Sequence, residues 1–167
     1  GDIGELGVSQ QDQAQNLMTS YETTDELIRV AREFRALGKW EQLLAGTIAG
    51  GENQALVARV EALKSALVLN LKEVGKLGVL AGPDMDILTD IIGEITDIRS
   101  LMRSPEYTFA KLEETKEFIR RARDSFEGTY GIRIDLGDES IVDDASYRGV
   151  NLGGQDENPF RADSIPQ

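Results

Sequence analysis

Two amphipathic segments between Glu52 and Met102 are separated by the sequence Leu77-Gly78-Val79-Leu80-Ala81-Gly82-Pro83-Asp84. Gly78 favours the left-handed backbone that often ends a helix. Pro83 suits the first turn of a following helix, where its missing N–H costs nothing. The residues therefore predict an αα-hairpin whose turn contains Gly78, Gly82 and Pro83.

Apolar residues recur at steps of three or four on both sides of this turn. They are Leu56, Val60, Leu63, Leu67, Leu71 and Val74 before it, and Ile87, Ile91, Ile95 and Ile98 after it. This spacing places them on one face of each helix, so we expect them to pack against other helices. Those helices can belong to the same bundle, to a second copy of the chain or to a larger partner, and these arrangements are compatible.

The flanking sequence predicts two more helices. One follows a capping box at residues 23–26 and ends at Gly38. The other runs from about Glu106 to Phe126, with Lys116 and Arg123 expected to face solvent. Together these segments predict an all-α fold, a small antiparallel helical bundle over residues 23–127 built on the central hairpin.

Both ends of the chain are acidic and poorly patterned. Residues 1–22 carry a net charge of −4 and predict a flexible lead-in, whereas residues 128–167 carry −5 and predict a largely extended tail. Within that tail, Ile132, Ile134 and Leu136 alternate with charged residues, which predicts one short strand. Because the chain begins with Gly1 and not Met, we expect a processed product, a tag remnant or a piece of a longer polypeptide.

Composition disfavours several functional classes. The net charge of −12 disfavours direct binding to nucleic acid or anionic lipid, although a local basic face around Arg120, Arg121 and Arg123 stays open. The chain has no Cys and no His, so thiolate metal sites and the commonest general base are excluded. We find no transmembrane run of 18 apolar residues and no signal-peptide pattern in the sequence.

Two acidic clusters are candidate cation sites. Asp84, Asp86 and Asp90 lack the pattern of an EF-hand loop, and compensation of a helix dipole explains them better. The second cluster is favoured as a solvated acidic loop, and consists of Asp135, Asp138, Glu139, Asp143 and Asp144. The pair Glu139-Ser140 resembles the catalytic Glu-Ser of lytic transglycosylases, but the motifs that follow it in that family are missing here.

The hairpin sequence carries a second resemblance. Residues 67–84 read Leu67-Val68-Leu69-Asn70-Leu71-Lys72-Glu73-Val74-Gly75-Lys76-Leu77-Gly78-Val79-Leu80-Ala81-Gly82-Pro83-Asp84. This string resembles a segment near the C-terminal ends of long tailed-phage virion proteins, in which a helix and a Gly-Pro-Asp turn precede a second helix. The likeness covers about 50 of the 167 residues. It implies a structural role in the phage particle, as an internal, ejection or tail-associated protein whose partners are other virion proteins.

We therefore expect a non-enzymatic interaction module, with no catalytic, cofactor-binding or metal-binding residue, that forms a homo-oligomer or joins a larger assembly. Two alternatives stay open. One is a cell-wall hydrolase, or an accessory domain of one, that uses Glu139. The other is an acidic adaptor that binds basic protein partners through its charged ends.

Overall fold

The computed structural model describes residues 3–45 and 51–137. Within these ranges a short 3-10 turn, Ile3–Glu5, precedes the helices α1 (Val8–Leu37), α2 (Trp40–Ala45), α3 (Gly51–Val74), α4 (Gly82–Thr96), α5 (Ile98–Leu101) and α6 (Pro105–Tyr130). No strand occurs in the described ranges, so the predicted all-α fold is confirmed. The chain divides into two units, Gly1–Ile134 and Asp135–Gln167, and all six helices belong to the first.

Local chemistry explains where several helices begin and end. Gly38 follows α1 with φ of 70°, and its N–H bonds the Arg35 carbonyl at 3.1 Å. The Ser104 hydroxyl accepts the Tyr107 N–H at 3.1 Å and caps α6, whose first turn holds Pro105. Gly131 ends α6 with φ of 67°. Glycine is suited to such left-handed positions because it has no Cβ.

The hairpin joins α3 to α4 through a turn that continues beyond the last α-helical residue. The N–H groups of Lys76 and Leu77 bond the carbonyls of Glu73 and Val74, each three residues back. Gly78 then adopts φ of 71°, and α4 begins at Gly82 with a proline in its first turn. The predicted turn residues thus lie between α3 and α4 and at the start of α4.

Contacts between α1 and α6 show that these helices are antiparallel. Near the middle of α1, the Tyr21 hydroxyl accepts a hydrogen bond from Arg120 at 2.7 Å. Near its end, the Arg35 guanidinium lies 4.5 Å from the centroid of the Phe109 ring. Residues later in α1 therefore contact residues earlier in α6, as antiparallel helices require.

The other neighbouring helices of the bundle, α1 and α3, α3 and α4, and α4 and α6, are antiparallel as well. For α1 and α3, Asp12 and Glu73 line the same groove, and Arg59 donates to Glu26. For α3 and α4, Gly75 lies against Leu88, and Lys64 donates to the Thr96 carbonyl. For α4 and α6, Asp84 faces Arg121, and Tyr107 donates to Glu94. Helix α1 packs mainly on α3 and α6, and α4 packs on both of these. The four long helices thus form an antiparallel bundle around one apolar core.

The predicted packing residues differ in burial. Six of the ten are buried, namely Val60, Leu67, Leu71, Val74, Ile91 and Ile95. The other four, Leu56, Leu63, Ile87 and Ile98, are half-buried. The second stripe does not lie on one continuous helix, because Asp97 is extended (φ −96°, ψ 122°) and separates α4 from α5. Its carboxylate accepts the Arg99 N–H at 3.1 Å and caps α5.

The prediction of a flexible lead-in over residues 1–22 is wrong for residues 8–22, which form the first half of α1. Ala14, Leu17 and Tyr21 are fully buried there, at steps of three or four. Tertiary packing stabilises a helix whose own composition is polar. The predicted capping box also lies inside α1, where the Thr24 hydroxyl donates to the Ser20 carbonyl at 2.7 Å.

The predicted short strand at residues 132–136 is also wrong, because this segment has no strand pairing. Ile132 and Ile134 are nevertheless buried. The Ile134 N–H donates to Glu127 at 2.5 Å, and its carbonyl accepts from Arg123 at 3.2 Å. Side chains of α6 therefore take the place of a partner strand. Residues 128–130 of the predicted tail belong to α6, and residues 138–167 lie outside the described residues.

A glycine on the exposed side of α4 offers a test of this geometry. A Cβ at Gly93 would meet no atom within 4 Å, so Gly93→Ala is expected to raise the free energy of unfolding. The expected gain is about 0.5–1 kcal/mol, measured by urea denaturation. Gly75→Ala is the matched control and should destabilise, because its Cβ would lie 2.9 Å from Leu88 Cδ2 and 3.3 Å from the Lys72 carbonyl. Shifts of the same sign for both variants would contradict the close packing of α3 on α4.

Candidate functional site

The described acidic residues do not converge on a metal site. Asp84 lies in the first turn of α4 and is 3.9 Å from the Arg121 guanidinium, while Asp86 and Asp90 are exposed. Across residues 3–45 and 51–137, no three acidic side chains come together closely enough to hold a cation. Asp135 accepts the Gly137 N–H at 2.8 Å. The rest of the second acidic cluster, with Glu139 and Ser140, lies outside the described residues.

The prediction that Lys116 faces solvent is wrong. Its side chain is 9% exposed, and its Nζ lies 2.7 Å from Asp25 Oδ1 of α1. The ammonium group also lies 5.0 Å from the centroid of the Tyr21 ring. A lysine can be buried in this way when its aliphatic stem packs in the core and its charge is paired.

The arginines of α6 do not form a free basic face. Arg120 donates to Glu117 at 2.5 Å and to the Tyr21 hydroxyl at 2.7 Å. Burial alone would lower the pKa of Arg120, but the hydrogen bonds and the electrostatic interactions with Glu117 and Tyr21 together outweigh it, and the pKa is raised. Arg121 faces Asp84, as described above. The guanidinium groups of Arg120, Arg121 and Arg123, which would form the candidate nucleic-acid surface, therefore mostly face polar groups of the bundle itself.

Arg123, also predicted to face solvent, is buried. Its guanidinium lies 2.7 Å from the Asp124 carboxylate and 3.9 Å from that of Glu127. It also donates to the Ile134 carbonyl, so it fastens the segment after α6 to the bundle. The prediction failed because helical spacing alone does not reveal that the chain beyond Gly131 returns to cover this side of α6.

A cluster of polar side chains joins α4 to α6 at the surface. The Tyr107 hydroxyl donates to Glu94, and Arg103 lies 3.2 Å from the same carboxylate and 3.9 Å from the Tyr107 ring centroid. Burial and the hydrogen bond to Glu94 raise the pKa of Tyr107 to about 12. The bond from Tyr107 lowers the pKa of Glu94, with a smaller contribution from Arg103. A tyrosine held protonated in this way serves as a hydrogen-bond donor.

The raised pKa of Tyr107 predicts a dependence of stability on alkaline pH. Because its ordinary value is 10.0, the stabilisation is fully present below pH 10 and is lost as pH rises towards about 12. We expect the urea midpoint of the wild type to fall across this range more steeply than that of Tyr107→Phe. Tyr130→Phe serves as the control and should keep the wild-type profile. Identical profiles for wild type and Tyr107→Phe would rule out this contribution.

One stripe on the exposed side of α3, from Ala55 to Leu69, carries no charged residue, although Arg59 lies beside it and Glu73 follows it one turn later. The stripe consists of Ala55, Ala58, Ala62, Ala66 and Leu69, all of them exposed, at steps of three or four. We call these five residues the outer face of α3. Leu69 is 66% exposed, whereas Leu67 and Leu71 on the other side of the helix are fully buried. The solvent side of a helix is normally charged or polar, so this face is unusual for a surface that only meets water.

The outer face of α3 is not among the surfaces predicted from the sequence. Its signal was present, because alanines recur at helical spacing between residues 55 and 66. The leucines of the buried stripe have the same period, however, and α3 is apolar on both sides. Spacing alone therefore could not show which of the two stripes the bundle buries.

Open grooves lie between α1 and α3. One of about 370 Å³ is lined by Glu22, Thr23, Asp25, Glu26, Arg29 and Leu63. Another, of about 610 Å³, lies near the start of α1 and is lined by Val8, Ser9, Asp12, Gln13, Asn16, Glu73 and Lys76. Both are lined mainly by charged and polar side chains on helix surfaces. Sites for small molecules are typically concave and mostly apolar, so neither groove resembles one.

No protein-family model, curated protein or solved structure matches this chain. The helices in the described part of the chain also lack the combination of length and hydrophobicity that crossing a membrane requires.

Proposed function

We propose that this chain is a non-enzymatic helical interaction module, and that the outer face of α3 is where another helix packs against it. The observation that carries this proposal is a stripe of four alanines and one leucine, all exposed, between Ala55 and Leu69 of α3, in a protein whose residues are 29% charged. A helix that met only water would be expected to carry some of those charges there. Alanine side chains also allow a second helix to approach closely, as small residues do at helix–helix contacts.

The partner is a second copy of this chain, packed antiparallel on the first. A two-fold interface requires that when one residue meets another, the second meets the first in return. The outer face of α3 suits this requirement because its residues are evenly placed about Ala62. An antiparallel pair crossing at Ala62 brings Ala58 opposite Ala66, and Leu69 opposite Ala55. Each large side chain then meets a small one.

A parallel pair fits this face less well. It would bring Leu69 against its own copy and leave the small residues facing one another, which packs unevenly. It would also place Arg59, beside the face, near the Arg59 of the second copy. In the antiparallel arrangement the residue opposite Arg59 is Ser65. A single helix face buries less area than a standard protein interface, so we expect association that depends strongly on concentration.

The resemblance of residues 67–84 to tailed-phage proteins supports assigning the module to a virion, as an internal, ejection or tail-associated structural protein. Other virion proteins would then be its further partners, and the phage particle its location. The resemblance rests on a turn motif between two helices, and α3 and α4 are compatible with it. Mass spectrometry of purified particles of a phage whose genome encodes the chain tests this assignment. Particles that lack its peptides would refute it.

Disulfide trapping tests the antiparallel pair, and the chain suits it because it has no native cysteine. Residues at position 62 of the two copies face each other, so Ala62→Cys is expected to form a disulfide dimer on mild oxidation. A mixture of Ala58→Cys and Ala66→Cys should cross-link faster than either variant alone. Thr89→Cys on the exposed side of α4 is the control and should stay monomeric. Cross-linking of Thr89→Cys at the rate of Ala62→Cys would contradict the proposed interface.

The non-enzymatic part of the proposal has its own test. Glu139 is the residue on which a cell-wall hydrolase would depend, by its resemblance to lytic transglycosylases. We expect neither the wild type nor Glu139→Gln to degrade peptidoglycan. If the wild type degraded peptidoglycan and Glu139→Gln did not, the chain would be an enzyme and the non-enzymatic proposal would be wrong.

A further inference from the structure

No further inference is drawn: the strongest candidate, the groove between the start of α1 and the end of α3 beside the buried amide oxygen of Gln13, is an open cleft on the helix surface, and nothing in the structure shows what covers it.

Discussion

Replacing Leu17 by Ala is expected to lower the free energy of unfolding by about 2–5 kcal/mol, as truncation of a buried leucine usually does. Leu17 is fully buried, although it belongs to a stretch whose sequence predicts a flexible lead-in. The loss removes apolar contacts and leaves a cavity between α1 and the helices packed on it. Urea denaturation followed by circular dichroism measures the change.

Val8→Ala is the matched control for this substitution. Val8 is the first residue of α1 and is 76% exposed, so its truncation should change the free energy of unfolding by less than about 0.5 kcal/mol. If Leu17→Ala proved as mild as Val8→Ala, the first half of α1 would not pack on the bundle in solution.

The second large effect is expected at the buried ion pair between α1 and α6. Asp25→Ala removes the carboxylate 2.7 Å from the Lys116 ammonium, whose side chain is only 9% exposed. Removing one partner of a fully buried pair costs about 3–5 kcal/mol, and the 32% exposure of Asp25 reduces this to about 1–3 kcal/mol. Lys116→Met should cost less, because methionine fills the same space and the remaining carboxylate can contact water.

A surface pair provides the comparison. Glu73 and Lys76 lie 2.8 Å apart with side chains 49% and 68% exposed, so Glu73→Ala should cost less than about 1 kcal/mol. Chemical denaturation of Asp25→Ala, Lys116→Met and the double variant gives the coupling between the two charges. If Asp25→Ala and Glu73→Ala lowered the free energy of unfolding equally, the ion pair between α1 and α6 would be no stronger than the solvent-exposed pair.

The sequence predicted those parts of the fold that depend on local chemistry. The hairpin turn, the end of α1 at Gly38 and the start of α6 near Glu106 all follow from residues with strong backbone preferences. The all-α class followed from the helical spacing of apolar residues on both sides of the turn. Such features can be predicted because the residues that determine them are close together in the chain.

The errors arose where distant parts of the chain determine the outcome. The first half of α1 is polar in composition, and its helix depends on burying Ala14, Leu17 and Tyr21 in the bundle. Lys116 is buried against Asp25 of α1, and Arg123 is buried against the backbone at Ile134. Ile134 finds its hydrogen-bond partners on α6 and not on a strand. None of these partners can be identified from spacing within a single helix.

The outer face of α3 was missed for the same reason, because contacts with other helices determine which side of α3 is exposed. The leucines and the alanines of α3 recur at the same helical spacing on two different sides of the helix. The sequence therefore predicts two apolar stripes without indicating which of them is buried. Packing on α1 and α4 covers the stripe that contains Leu67 and Leu71. The stripe that contains Ala62 is thereby left on the surface. Its proposed role depends on the assembled bundle and not on a motif.

Sedimentation equilibrium of the wild type and Ala62→Glu tests the proposed antiparallel pair most directly. We expect the wild type to associate reversibly into dimers as its concentration rises. Ala62→Glu would place two like charges together at the two-fold axis and weaken that association by on the order of tenfold or more. Thr89→Glu, on the exposed side of α4, should associate like the wild type, with circular dichroism showing that all three are folded. A wild type that stays monomeric at every concentration, or an Ala62→Glu variant that dimerises equally well, would contradict the proposed interface.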